Sequence, residues 1–254
     1  MRTLVLNIGN SSLFGGVFAA DRLVMQFRVP VEAAATARGW KKFLTPRLRG
    51  KIHRAALCSV VPALTNKVVR QVEANLGISP VLLTAAAFHG LKIGYQNPRE
   101  LGTDRLAAAL GARLLFPEQN VVIIDCGTAT TVTALGKKGV LLGGAIFPGL
   151  GLWSGMLAAR TAQLPPAEVS RPPAALGRST AHGLQSGIFY GHAGAVRELT
   201  QRIRKEAFGQ APAVVVGTGG FAGLLTLENL FTVHEPELIL TGLHYFAHFS
   251  SDHA

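Results

Sequence analysis

Two stretches of this 254-residue chain set a carboxylate or its amide, then glycine, then hydroxyls in the same order. The first is Asn7-Ile8-Gly9-Asn10-Ser11-Ser12, following the apolar run Leu4-Val5-Leu6. The second is Asp125-Cys126-Gly127-Thr128-Ala129-Thr130-Thr131, following Val122-Ile123-Ile124. Each resumes as an apolar run, Phe14 to Phe18 after Leu13 and Val132 to Leu135. A β-hairpin with such a turn presents backbone N–H groups and hydroxyls, chemistry suited to polyphosphate oxygens. The echo about half a chain later predicts two related lobes with a nucleotide between them.

Three further motifs carry chemistry. Gly102-Thr103-Asp104-Arg105 puts opposite charges at the start of a predicted helix, where the macrodipole favours a carboxylate and free N–H groups attract anions. There Asp104 can accept a hydroxyl proton during phosphoryl transfer, and Arg105 can grip a carboxylate with its fork; the plain alternative is a capping Asp beside a surface Arg. Tyr95-Gln96-Asn97-Pro98 stands just upstream as a pocket wall or a simple turn. Asp125 can bind a cation, and Val216-Gly217-Thr218-Gly219-Gly220 allows backbone to approach an adenine or ribose. Of the histidines, only His244 and His248 have the i,i+4 spacing of a metal pair, and with no third ligand in view a helix face is the better reading.

The elements that must position these residues follow from periodicity. Residues 3–8 and 13–18 read as a hairpin, 23–29 as a third strand and 55–61 as a buried strand before a helix over 64–76. Residues 81–83 form a short strand, and Thr103 is an N-cap for a helix over 104–115. The pattern then restarts, with strands near 121–125, 130–135 and 139–142 and a Gly/Pro loop at 143–149. Helices follow over 150–160 and 180–207, a strand at 214–216 and a last helix over 236–248. Strands alternating with helices predict an α/β fold, divided into an N-terminal lobe over 1–116 and a C-terminal lobe over 117–254.

Composition bounds the class. Hydrophobic residues make up 48% and charged residues only 15%, which excludes a disordered or fibrous chain and permits a packed core. Cys58 and Cys126 sit in strand-like surroundings, so a disulfide framework is not expected and a reducing, cytoplasmic setting fits. Residues 140–159 carry no charge but include Pro148 and several glycines, which suits a loop entering a helix rather than a membrane span. The net charge of +11 is densest from Arg38 to Arg54. With no nucleic-acid motif beside it, a solvated basic face that attracts anionic ligands is preferred over nucleic-acid binding.

With these residues in view, the chain resembles the type III pantothenate kinases of the acetate and sugar kinase/Hsp70/actin superfamily. The resemblance runs through both loops, Ser59-Val60-Val61-Pro62, Tyr95 to Pro98, Gly102 to Arg105 and Gly143 to Gly149. It continues through Thr161-Ala162-Gln163-Leu164-Pro165, Gly177-Arg178-Ser179-Thr180, Gln185-Ser186-Gly187 and Thr218-Gly219-Gly220. It implies two duplicated actin-like (ribonuclease H-like) lobes with the nucleotide cleft between them. It also implies ATP-dependent phosphorylation of pantothenate to 4'-phosphopantothenate, the first step of coenzyme A synthesis, by a homodimer. Mg2+ or another divalent ion and a monovalent cation, K+ or NH4+, are implied as cofactors.

Carried onto this sequence, the resemblance implies Asp104 as proton acceptor and Gly102, Thr103, Arg105 and Tyr95 as pantothenate contacts. Thr180 would reach pantothenate across the dimer interface, and Asp125 would hold the monovalent cation. Asn7, Ile8, Gly9, Asn10, Ser11, Ser12, Leu13, Phe14 and Thr128 would contact ATP. Where the family has Asp, this chain has Asn7, which keeps an oxygen but loses a charge worth on the order of a few kcal/mol near 4 Å in a partly shielded site. Thr241 also stands where an acidic residue is common. Asn7 and the basic stretch leave a second reading open, a catalytically weakened homologue with a ligand-binding or transcription-regulatory role.

Overall fold

The computed structural model describes residues 1–87, 90–160 and 164–249 and divides into two compact units. The first comprises Met1–Leu115 together with the chain from Glu237 onward, and the second comprises Phe116–Pro236. The chain passes between the units after Leu115 and again after Pro236, so the last helix groups with the first unit.

In the first unit, β1 (Arg2–Ile8), β2 (Ser12–Ala19) and β3 (Arg22–Pro30) form an antiparallel meander. Strand β4 (Arg54–Ser59) lies parallel to β1, and β5 (Val81–Leu82) lies parallel to β4. The sheet order is therefore β3-β2-β1-β4-β5. One core joins Leu4, Leu6, Ile8, Leu13 and Leu57 to Val68 and Val72 of α1 (Pro62–Leu76). Pro62 at the first helical position fixes φ where the missing N–H costs nothing, and Gly77 ends the helix in the left-handed region at φ +67°.

The basic stretch is not a plain loop. Residues Ala37–Gly39 and Trp40–Leu44 form helical turns, the second of π type, with Thr36 accepting the Gly39 N–H. Trp40, Leu44 and Leu48 are buried in the core while Lys41, Lys42 and Arg47 face solvent. Periodicity missed these turns because each is shorter than the window in which a 3.6-residue repeat becomes visible.

In the second unit, β6 (Asn120–Cys126), β7 (Ala129–Gly136) and β8 (Val140–Pro148) repeat the meander. Parallel to β6 lies β9 (Ala213–Thr218), and parallel to β9 lies β10 (Val233–His234). The run β8-β7-β6-β9-β10 thus matches the first sheet strand for strand. The expected Gly/Pro loop at 143–149 is instead most of β8. Gly144 permits strand contact rather than preventing it: a Cβ there would lie 1.9 Å from the Val132 carbonyl oxygen. No described helix is long and apolar enough to cross a membrane.

Helix α2 (Thr103–Leu115) belongs to the first unit; α3 (Leu150–Arg160) and α4 (Thr180–Phe208) belong to the second. The final helix, α5 (Leu238–Phe249), crosses α2 at glycine on both sides. A Cβ on Gly242 would stand 1.8 Å from the Ala107 carbonyl oxygen, and one on Gly111 would stand 2.2 Å from that of Leu238. This contact joins α5 to the first unit: α5 is buried almost throughout, and its Gly242 packs against the backbone of Ala107 and Gly111.

Replacing Gly242 with Ala should force the two helices apart and cost about 1–3 kcal/mol, read as a lower urea midpoint. Gly194→Ala in α4, where a Cβ meets nothing within 4 Å, should be neutral or stabilising by up to about 1 kcal/mol. Equal effects of the two substitutions would contradict this packing.

Candidate active site

The first loop is closed by the Gly9 N–H, which donates to the Ser12 carbonyl at 3.0 Å. Asn10 and Ser11 project into solvent at its tip, while Ile8 and Leu13 anchor its ends in the core. Arg28 on β3 donates to Ser12 Oγ at 2.9 Å and places its guanidinium 4.6 Å over the Phe14 ring. At the head of the loop, Asn7 pairs with Cys58 across the parallel β1–β4 ladder, and the Cys58 thiol donates to Asn7 Oδ1 at 3.3 Å.

The Gly102–Arg105 motif meets the same end of that sheet. Thr103 is the first residue of α2 rather than a side-chain cap. Its hydroxyl accepts the Ser59 N–H at 3.0 Å and donates to the Ser59 carbonyl at 2.9 Å. Ser59 is the register partner of Ile8, so the first loop and the start of α2 adjoin at the C-terminal ends of β1 and β4. The sequence motif pointed to a cap because Thr precedes an apolar helical repeat; the hydroxyl is spent on tertiary docking instead.

Asp104 follows, its Oδ1 accepting the backbone N–H of Arg105 at 2.7 Å. A Cβ on Gly102 would come within 2.6 Å of that oxygen, so glycine is required for the carboxylate to fold back over the helix start. Burial pushes the Asp104 carboxyl above its ordinary value, against the opposing pull of the Arg105 N–H and guanidinium. Arg105 is only 6% exposed and holds its guanidinium carbon 5.5 Å from the centre of the Tyr95 ring. Four of the expected residues, Tyr95, Thr103, Asp104 and Arg105, are thereby linked in one unit.

The second loop is built the same way. The Gly127 N–H donates to the Ala129 carbonyl at 3.1 Å, and the Thr128 carbonyl accepts the Gly149 N–H at 3.0 Å. Gly219, at φ +90°, lies so close beneath Asp125 that a Cβ there would stand 2.3 Å from Asp125 Oδ1. The expected Thr218-Gly219-Gly220 turn therefore meets the Asp125 loop, with Thr218 in register beside Asp125 on the parallel β9–β6 pair. Thr180 opens α4 with an exposed side chain, after Ser179, whose hydroxyl accepts the His182 N–H at 3.3 Å. Residues 161–163 of the expected motif at 161–165 lie outside the described residues.

Sequence reasoning missed two partners. Ser59 was visible only as part of a strand-end motif, with nothing to mark its double bond to Thr103. His192 on α4 is fully buried and meets Thr130 Oγ1 at 2.9 Å, just behind the second loop, with Phe147 and Trp153 rings around it. Burial lowers its imidazole from 6.5 to about 4, so it is neutral in the folded protein. The His244–His248 pair serves packing: His244 stacks on Phe18 at 4.1 Å and its Nε2 lies 3.2 Å from Asp21.

Two matching sheets with glycine-closed loops at corresponding strand ends are the fold of actin-like ATPases. Solved structures bear this out. The activator of 2-hydroxyisocaproyl-CoA dehydratase from Clostridium difficile, with bound ADPNP, aligns at TM-score 0.54 and 14% identity over 100% of this chain and 97% of its own. MreB 5 of Spiroplasma citri, bound to AMPPNP, aligns at TM-score 0.53 and 10% identity over 99% and 97%. The family model for type III pantothenate kinase matches residues 3–202. A type III pantothenate kinase of Legionella pneumophila is 40% identical over 94% of this chain and 96% of its own length. Type III pantothenate kinase 1 of Francisella tularensis is 38% identical over 94% and 95%. The chain belongs to the type III pantothenate kinase family.

His192 sets a pH dependence of stability. Its folded value lies below the unfolded one, so below pH 6.5 the unfolded chain takes up a proton that the native protein refuses. Stability should fall by about 2 kcal/mol between pH 7 and pH 5 through this group alone, and flatten below about pH 4. Urea titrations of His192→Gln should show that much less acid sensitivity than the parent; an unchanged slope would exclude His192 as its source.

Proposed function

We infer that the protein transfers the γ-phosphoryl group of ATP to the hydroxyl of pantothenate, giving 4'-phosphopantothenate and ADP at the entry to coenzyme A synthesis. Family membership supports the substrates, and Asp104 is the observation that carries the chemistry. Its carboxylate accepts the Arg105 backbone N–H in the room Gly102 leaves at a helix start, where burial raises its basicity. As the pantothenate hydroxyl attacks phosphorus in line, its proton passes to Asp104, the new O–P bond forms and the bond to the ADP oxygen breaks. Arg105, propped on Tyr95, is suited to the pantothenate carboxylate through its fork, and Gly102 and Thr103 supply the adjacent backbone.

The loop from Asn7 to Phe14 and the loop bearing Thr128 are the phosphate-binding elements for ATP. Asp125 is suited to a monovalent cation, K+ or NH4+, as the acidic side chain at the head of the second loop. Such a cation would offset phosphate charge there. Thr180, exposed at the start of α4, is suited to reaching pantothenate from a second copy in a homodimer. The two cysteines, both buried and not joined in a disulfide, accord with a cytoplasmic setting.

In a coupled assay with ATP, Mg2+ and NH4+, pantothenate should elicit ADP release, and Asp104→Asn should lower kcat about 10²–10⁴-fold. Because Asp104 must be ionised, kcat/KM should fall as pH drops through a value above the ordinary carboxylate range of about 4. No pantothenate-dependent ADP, or full turnover by Asp104→Asn, would refute the assignment.

A further inference from the structure

The head of the first loop differs from that of the second in charge, and the local bonding defines what replaces the carboxylate. Asn7 and Cys58 are register partners on parallel strands, so their side chains share a face of the sheet. Cys58 is fully buried, and its thiol donates to Asn7 Oδ1 at 3.3 Å. A primary amide carries its oxygen and its NH2 on opposite sides of Cγ, so engaging the oxygen directs the two N–H donors away from β4. Asn7 is half-buried, and its Nδ2 has no protein partner among the described residues. The loop head is thus a pair of unspent donors beside an exposed Asn10-Ser11 tip.

The divalent ion that the family implies does not fit this loop as a protein-held ligand. From Asn7 to Phe14 there is no carboxylate, and the amide oxygen at the head is already taken by a thiol. Hard divalent cations take anionic oxygens by preference. A donor group, by contrast, complements a phosphate oxygen directly and needs no bridging cation.

We propose that Asn7 binds a phosphate oxygen of the nucleotide directly through its amide N–H groups, with Cys58 as the positioning residue that fixes the amide's orientation. The divalent ion then enters on the nucleotide's own phosphates, and the first loop's hold on the nucleotide does not depend on it. This rests on the reading of the chain as an ATP-dependent kinase. It assigns Asn7 a role of its own rather than that of a weakened carboxylate.

Calorimetric titration of the full-length protein with a non-hydrolysable ATP analogue, in EDTA and in excess Mg2+, tests it. The parent protein should lose less than about fivefold in affinity when Mg2+ is removed. Asn7→Asp should lose at least about tenfold more in EDTA and recover with Mg2+, because a carboxylate facing phosphate needs a cation between them. Cys58→Ser, which keeps a donor for Asn7 Oδ1, should track the parent. Cys58→Ala should weaken binding by a similar factor in EDTA and in Mg2+, and Cys58→Ser should restore it, a rescue that general loosening of the fold would not produce.

Melting curves screen each variant for folding, and if Cys58→Ala is unstable the Asn7→Asp comparison decides alone. A parent protein as metal-dependent as Asn7→Asp, or metal-free binding unaltered by either Asn7→Asp or Cys58→Ala, would overturn the proposal. Absence of pantothenate-dependent ADP release would instead overturn the function and leave this binding comparison standing.

Discussion

The double hydrogen bond between the Thr103 hydroxyl and the Ser59 backbone is the joint on which the first unit's chemistry depends. One oxygen accepts from and donates to the same residue, so it satisfies both backbone groups where β4 leaves the sheet. Left unmade, a buried backbone group costs about 1–3 kcal/mol, so the joint is stabilised by what its loss would expose. Because Ser59 is also in register with Ile8, the joint sets the first loop and the start of α2 at one sheet end. The α2–α5 glycine crossing then holds the helix from behind, so the carboxylate of Asp104 inherits its place from packing far along the helix.

The second unit reaches a similar end by different means. Its sheet repeats the first in strand order and in parallel and antiparallel sense, and both loops close with a glycine N–H bonded to a carbonyl two or three residues on. Among the described residues, the hydrogen bonds show no helix start docked there through a threonine as Thr103 docks α2. Instead Gly149 and Gly219 bring backbone against the loop from two sides, closer than any side chain would allow. The duplication therefore preserves the ladder and the turn, while what abuts each turn has diverged.

Much of this was legible because the strongest signals are local. Asn7 to Ser12 and Asp125 to Thr131 each report a strand, a turn and its hydroxyls within a few residues. The long α4 and the Ala- and Leu-rich α2 are visible by composition and period. What was not legible depends on partners distant in sequence. Gly144 reads as a loop residue because glycine weakens strands in isolation; only the closeness of β7 shows why it is strand. Similarly, nothing near Glu237 says that the last helix belongs with residues more than a hundred positions earlier; the matching glycine at Gly111 does. Thr103 shows the same limit at the site, since capping and docking use one hydroxyl and only the fold decides between them.

The two loop heads show that shared topology does not fix shared electrostatics. Asp125 and Asn7 occupy equivalent strand ends, yet one presents an anion and the other a neutral amide whose oxygen is satisfied by a thiol. Phosphate oxygens are anionic, so phosphate bound at the Asp125 end would call for a cation to offset repulsion, whereas at the Asn7 end it would not. At a few ångströms an unscreened like-charge contact is worth on the order of several kcal/mol, more than any one hydrogen bond in the loop. A neutral first head therefore carries neither a demand for metal nor an anionic place to bind it. A chain of net charge +11 already draws anionic ligands at long range, so the neutral head forfeits little attraction. Its two amide donors remain for hydrogen bonding, so a neutral head suits phosphate by donation where an acidic head would need an intervening cation.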